Sequence, residues 1–189
     1  MAVALVAVAA AVAGAQGLSL SAAAHGLLQQ ARHLQDARRS ELPGTPARSE
    51  PAAAETRAIL TAAARRHGLR PSFVLAVSYW ESGWNQSLVS STGAVGLMQV
   101  SPATAEWAGP ALLHRRVNLR DPRDNADIGA ALLRSYLDQF DDPKLALAAY
   151  YQGAAATRRD GIYPGSRTYV DGIWALRNQF ESGEFAPRG

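Results

Sequence analysis

The sequence predicts an all-α, mainly helical fold. Three observations carry that prediction. A helix-capping side chain is followed at once by proline three times, at Ser101-Pro102, Asp121-Pro122 and Asp142-Pro143. After these marks, apolar residues recur at the three- and four-residue spacing of one helix face. No segment alternates with the two-residue period of a half-buried strand.

Taken in order, the chain opens on Ala2 to Ala15, an almost uncharged Ala/Val run. Small residues follow at Ala13-Gly14-Ala15 and Ala22-Ala23-Ala24, so residues 1–24 read as a signal peptide or membrane-targeting segment. The run is shorter than the ~18 apolar residues that a bilayer crossing needs. No Lys or Arg lies before it, although an export signal usually carries a positive start. Residues 25–55 read as a short helix and a linker. Leu27, Ala31 and Leu34 share helical spacing between His25 and Arg39, and Ser40 to Glu55 is rich in Pro and Ala with no period. The folded domain is expected over residues 56–180, with 181–189 as a tail.

Within the domain, Glu55 to His67 predicts a helix that Gly68 stops. Pro71 opens the next one, because proline at the first helical position forfeits no needed hydrogen bond. Helices then start behind Ser101, Asp121 and Asp142, whose side chains can accept from free N–H groups of the first turn. The Asp121 helix carries Ile128, Leu132, Leu133, Leu137 and Phe140 as a broad apolar face, and the Asp142 helix ends at Gly153. A last helix from about Ser166 aligns Tyr169, Ile173, Leu176 and Phe180.

One acid stands out. Val74, Val77, Ser78 and Glu81 fall on one face of the Pro71 helix, so the carboxyl continues an apolar stripe. It lies in the last turn, where the helix dipole disfavours a carboxylate. Desolvation by Trp80 and Trp84 is expected to raise its pKa further. A carboxyl kept protonated near neutral pH suits donation to a leaving glycosidic oxygen. Gly93 and Gly96 then shape a tight loop that carries Gln99 back towards the acid. In that loop Leu97 and Met98 read as core packing, while Ser90 suits either a substrate contact or a loop closure.

Composition narrows the classes. With 189 residues, 48% hydrophobic and 19% charged, the chain has room for one domain plus an extension. The absence of cysteine excludes disulfides, thiolate metal sites and a cysteine nucleophile. The net charge is +3, and from Thr56 to Phe180 there are 14 Lys and Arg against 10 Asp and Glu. That excess is mild and spread out, which suits an anionic polymer but not a nucleic-acid interface. His25, His33, His67 and His114 lack ligand spacing, so no metal or other cofactor is expected.

The blocks in order are Glu81-Ser82, Ser90, Gly93-Ala94-Val95-Gly96-Leu97-Met98-Gln99-Val100-Ser101-Pro102-Ala103-Thr104, Asn125 with Gly129, Ala149-Tyr150-Tyr151-Gln152-Gly153, and Tyr169-Val170. This series resembles the signature of the soluble lytic transglycosylase (SLT, goose-lysozyme-like) family, which cleaves the glycan strands of peptidoglycan. The resemblance implies a lysozyme-like domain in which Glu81 is the catalytic acid/base. It implies that Ser90, Gln99 and Tyr150 line the glycan groove, with Tyr169 close by. A monomer acting on peptidoglycan glycan strands is expected, and the N-terminal segment adds an extracytoplasmic location (secreted, periplasmic or cell-wall associated), with membrane anchoring through that segment as one option. Two departures stand out: Tyr151 and Gln152 replace the family's usual Asn and small residue, and Ala126 replaces a branched one.

A second carboxyl is missing from Ser82 to Ala105, whereas ordinary glycosidases pair two. Glu106, Asp121 and Asp124 each fit a helix start better. The expected reaction is therefore a glycosidic-bond lyase step at the MurNAc-GlcNAc β-1,4 bond. In it the substrate's acetamido group assists, and its own 6-hydroxyl closes a 1,6-anhydro ring. The alternative is a hydrolytic muramidase of goose-lysozyme type, in which an acid such as Asp124 would hold water.

Overall fold

Seven α-helices build the domain: α1 (Ala53–Arg66), α2 (Pro71–Ser82), α3 (Pro102–Ala108), α4 (Pro122–Phe140), α5 (Pro143–Gln152), α6 (Ala154–Asp160) and α7 (Arg167–Ser182). The computed structural model describes residues 53–186, all within one compact unit, Leu42–Gly189. The expected targeting segment, the His25–Arg39 helix and all but the last three linker residues lie outside the described residues. Helix makes up 69% of the described residues and none of them forms a strand, so the fold is all-α. Among the described residues no helix is long and apolar enough to cross a membrane.

Each cap read in the sequence is made. Ser101 accepts from the Thr104 N–H, Asp121 from those of Arg123 and Asp124, and Asp142 from that of Lys144. Each such cap contributes roughly 1 kcal/mol. At the other ends, Gly68 and Gly83 turn the chain out of α1 and α2 at φ of 65° and 61°, the left-handed region that glycine enters without strain.

α2 is the pivot of the fold. It packs between α1 and α7, while α4 closes the core against α1 and α5. The stripe that precedes Glu81 is inside: Val74, Val77 and Ser78 are all fully buried. Ile128 and Leu133 of α4, Leu147 of α5 and Ile173 of α7 meet it from the other sides. Of the α7 stripe, Tyr169 and Ile173 are buried, and Leu176 and Phe180 half-buried. The packed structure continues past residue 180. Phe185 stacks on Phe180 at 3.9 Å and meets Tyr79 edge-on at 4.9 Å, so part of the expected tail belongs to the core.

Besides a single 3-10 turn at Pro164–Ser166, two elements had no counterpart in the sequence pattern. After α3 the helix widens into a π-helical turn, Gly109–Leu113, because Pro110 has no N–H to give the Glu106 carbonyl. After Gly153 the chain forms the short α6, which has no side-chain cap and no apolar period.

A charged cluster ties α1 to α4. Asp127, 5% exposed, receives Arg66 at 2.6 Å, His67 Nε2 at 2.8 Å and Arg115 at 2.9 Å. Burial pushes its pKa up, but the bonds from His67, Arg66 and Arg115 outweigh that and hold the carboxyl below its ordinary range.

Candidate active site

The loop between α2 and α3 is built as two successive turns, an outer one over residues 90–94 and an inner one over residues 96–99. Val95 exchanges both backbone hydrogen bonds with Val100, and the Gly96 N–H reaches back to the Leu88 carbonyl. Gly96 at φ 75° and Gln99 at φ 47° close the inner turn. Gly96 has a second reason to be glycine. A Cβ there would lie 2.5 Å from Asn125 Nδ2 and 2.7 Å from Gln86 Oε1, so no side chain fits.

Buried polar side chains bolt this loop to the helices. Asn125, fully buried on α4, accepts from the Met98 N–H at 2.9 Å and donates to the Val95 and Leu119 carbonyls. Gln86 accepts from the Leu97 N–H and donates to Leu119. From α2, the Ser78 and Ser82 hydroxyls both donate to the Leu97 carbonyl at 2.9 Å. Leu97 and Met98 are fully buried, as their reading as core requires. Gly129 leaves the space that Met98 fills, since a Cβ there would lie 2.6 Å from it.

Glu81 lies half-buried one residue before Ser82, so the same helical turn that pins the loop presents the carboxyl beside it. Its Oε1 accepts a 2.7 Å hydrogen bond from the Tyr169 hydroxyl of α7. Tyr169 is held on two sides. Its ring stacks on Tyr151 at 4.5 Å between centroids, and Trp80 meets it edge-on at 6.3 Å. Trp80 in turn lies against Gly172, where any Cβ would collide with the indole.

Tyr150, next to Tyr151 at the end of α5, donates its hydroxyl to the Met98 carbonyl at 2.8 Å. Burial, with the charge of Glu81 next, pushes both the Tyr150 and Tyr169 phenols well above the ordinary tyrosine value. Both hydroxyls therefore stay protonated across any working pH. Their coupling to Glu81 places the three side chains in one electrostatic cluster.

Trp84 does not sit where the sequence suggested. Its Nε1 donates to the Leu75 carbonyl, and its ring joins Tyr79, Phe180 and Phe185. Tyr79 is two residues from Glu81, about 200° round the helix. Tyr169 donates to the carboxyl, and Tyr150 feels its charge.

The loop residues divide. Gln99, 9% exposed, donates through Nε2 to the Gly96 and Leu88 carbonyls, which fixes its amide orientation. Its Oε1 is buried and accepts no hydrogen bond from the described residues. Ser90 accepts from the Ala94 N–H at 2.9 Å and shares a hydrogen bond with Thr92, so it closes the outer turn. Gln152 spans the gap to α7, donating to the Gly161 carbonyl and accepting from the Tyr163 N–H.

The sequence reading missed Ser78, Ser82 and Gln86 as loop bolts, and gave Tyr151 and Gln152 no task. Asn125 was likewise given no role as a bolt, and a signal existed for it and for Ser78. Ser78 is a polar residue inside an apolar stripe, and Asn125 stands three residues before Ile128 on the core face of α4. Of the acids weighed as a second carboxyl, Asp121 caps α4, and Asp124 binds Arg115 and the Asn118 N–H. Glu106 is exposed and lines a cavity of about 760 Å³ beside Val95, Pro110 and Arg116.

The chain can be set beside known proteins. The family profile described as "Transglycosylase SLT domain" matches residues 58–170. A transglycosylase of Enterobacteria phage PRD1 is 42% identical over 107 residues, covering 55% of this chain and 38% of that protein. Membrane-bound lytic murein transglycosylase C of Serratia proteamaculans is 32% identical over 128 residues, covering 59% of this chain and 34% of the relative. The chain thus spans little more than a third of the length of these curated relatives. Among solved structures, lytic transglycosylase Slt of Pseudomonas aeruginosa, in a form described as an inactive Glu-to-Gln mutant, superposes with a TM-score of 0.62. It is 26% identical, with 73% of this chain and 26% of that one covered.

Proposed function

This chain belongs to the transglycosylase SLT domain family, and from that premise we propose that it is a peptidoglycan lytic transglycosylase. Its substrate is the MurNAc-GlcNAc β-1,4 bond of glycan strands outside the cytoplasmic membrane. The observation that supports this best is the carboxyl of Glu81. It ends an apolar helix stripe and is oriented through Oε1 by Tyr169, while the acids weighed as a second carboxyl, Asp121, Asp124 and Glu106, are engaged elsewhere or exposed.

The steps follow from the groups present. Glu81, as the acid, gives its proton to the leaving glycosidic oxygen as the bond to carbon 1 breaks. The substrate's 2-acetamido oxygen supports the positive carbon, which spares the protein a second carboxylate. Glu81, now a carboxylate, removes the proton from the sugar's 6-hydroxyl. That oxygen bonds to carbon 1 and closes the 1,6-anhydro ring. Because the nucleophile is tethered to the reacting sugar, the ring closure gains the entropy of an intramolecular reaction.

Tyr169 supports the second half of this cycle, since its hydroxyl donates to the carboxylate that forms. Gln99 is proposed to meet the acetamido group. A buried acceptor without a partner among the described residues is costly, and a substrate N–H satisfies Oε1 once the amide turns out from under the loop that now covers it. Tyr150 and Ser90 are proposed to shape the groove wall through the Met98 carbonyl and the outer turn.

The names of the relatives and the inactive Glu-to-Gln form of the Pseudomonas enzyme agree with this reading. The test is Glu81→Gln, which keeps shape and hydrogen bonding but has no acidic proton. Cleavage of purified peptidoglycan should fall by at least about a thousandfold while the melting temperature holds. A mutant that keeps more than about a tenth of the activity removes Glu81 from the chemistry.

A further inference from the structure

We propose that Tyr151 is a positioning residue: by stacking on Tyr169 it holds the Tyr169 hydroxyl on Glu81. The inference rests on the reading of Glu81 as the acid/base. Its physical basis is the way the Tyr169 ring is confined. The ring is stacked against Tyr151 at 4.5 Å with a 28° interplanar angle, and meets Trp80 edge-on at 88°. Trp80 cannot retreat towards α7, because the indole lies directly on Gly172. The Tyr169 plane is thus set from two sides, and the 2.7 Å bond to Oε1 exists only while that plane is kept. A hydrogen bond to a charged group weakens steeply with misalignment, and displacements near 1 Å at such a group cost about a hundredfold in rate.

The position of Tyr151 in the chain makes it suited to this task. Three consecutive residues at the end of α5 grip three parts of the site. Tyr150 holds the Met98 carbonyl of the loop, Tyr151 holds Tyr169, and Gln152 holds the segment that leads into α7. Two of these contacts fall on the helix that carries Tyr169 and on the segment that leads into it. An asparagine at position 151, the usual residue of the family pattern, has no ring to stack. This chain therefore orients the partner of its acid by an aromatic face.

The experiment compares kcat and KM on purified peptidoglycan for the wild type, Tyr151→Phe, Tyr151→Leu, Tyr169→Phe and the double variant Tyr151→Leu/Tyr169→Phe. Glu81→Gln runs alongside. Tyr151→Phe keeps the ring and should stay within about twofold of wild type. Tyr151→Leu keeps most of the volume, so the fold should survive by melting temperature. Its kcat should drop about tenfold or more while KM stays within about twofold. In the Tyr169→Phe background the same Leu substitution should change nothing further, because no hydroxyl is left to position. The proposal is overturned if the two losses multiply, if Tyr151→Phe is as impaired as Tyr151→Leu, or if Tyr151→Leu matches wild type. An active Glu81→Gln overturns the acid assignment itself and this inference with it. An inactive one beside multiplying losses overturns only the role of Tyr151.

Discussion

At the Glu81 carboxyl, the hydrogen bond from Tyr169 is expected to bear on how the proposed activity varies with pH. The Tyr169 phenol is raised by burial and then by the charge of Glu81, so it remains a donor throughout. Donation to Oε1 favours the ionised carboxyl. Removing it by Tyr169→Phe should therefore move the basic limb of the pH–rate profile to higher pH, with kcat reduced about tenfold or more. An unmoved limb would mean that the hydroxyl does not bear on the acid. Asn125 is the other residue on which much hangs. Fully buried, it serves the Met98 N–H and the Val95 and Leu119 carbonyls. Asn125→Ala strands those groups and should cost about 2–4 kcal/mol, read as a fall in the midpoint of urea unfolding. The sequence made Glu81 legible through its place on the stripe Val74, Val77, Ser78. Spacing could not make Tyr169 legible as its hydrogen-bond partner, because 88 residues separate the two, and only the family resemblance put it close by. Only the packing of α7 on α2 brings them together.

Between elements, the Asp127 cluster joins α1 and α4 with bonds from Arg66, His67 and Arg115. The folded pKa of Asp127 is lowered: burial opposes ionisation, and the hydrogen bonds more than offset it. A depressed carboxyl pKa contributes stability that is fully present above the unfolded value of about 4, and is lost as pH falls through the folded value. Asp127→Asn should thus lower the stability at pH 7 by about 1–3 kcal/mol. The gap to wild type should close as the pH is taken below about 4, and a gap constant down to acid pH would show that the charge is irrelevant. The start of each capped helix was legible because Ser101, Asp121 and Asp142 each stand directly before proline. α6 was not, since AAATRRD has neither cap nor period and forms where Thr157 bonds back to Gly153. Phe185 was also missed. A lone aromatic beyond the last stripe carries no spacing signal, and only its stack on Phe180 reveals it. Phe185→Ala should lower stability by about 1–2 kcal/mol, visible in thermal melting, and leave kcat unchanged.

Over the whole molecule, the site is a junction. α2 delivers the acid, α7 delivers Tyr169, the end of α5 steadies both the loop and that tyrosine, and α4 supplies the buried amide of Asn125 that sets the loop. The sequence conveyed this division only in part. Its blocks named the pieces, but the bolts between them are contacts between distant segments. The central claim is that one carboxyl drives an intramolecular ring closure, and the nature of the product ends tests it most directly. Purified peptidoglycan should be digested with this protein and the released fragments weighed by mass spectrometry before any reduction. The account predicts muropeptides ending in 1,6-anhydro-MurNAc, each short of the hydrolysis product by one water, and resistant to borohydride. Fragments with ordinary reducing ends would show that water is the nucleophile and contradict it.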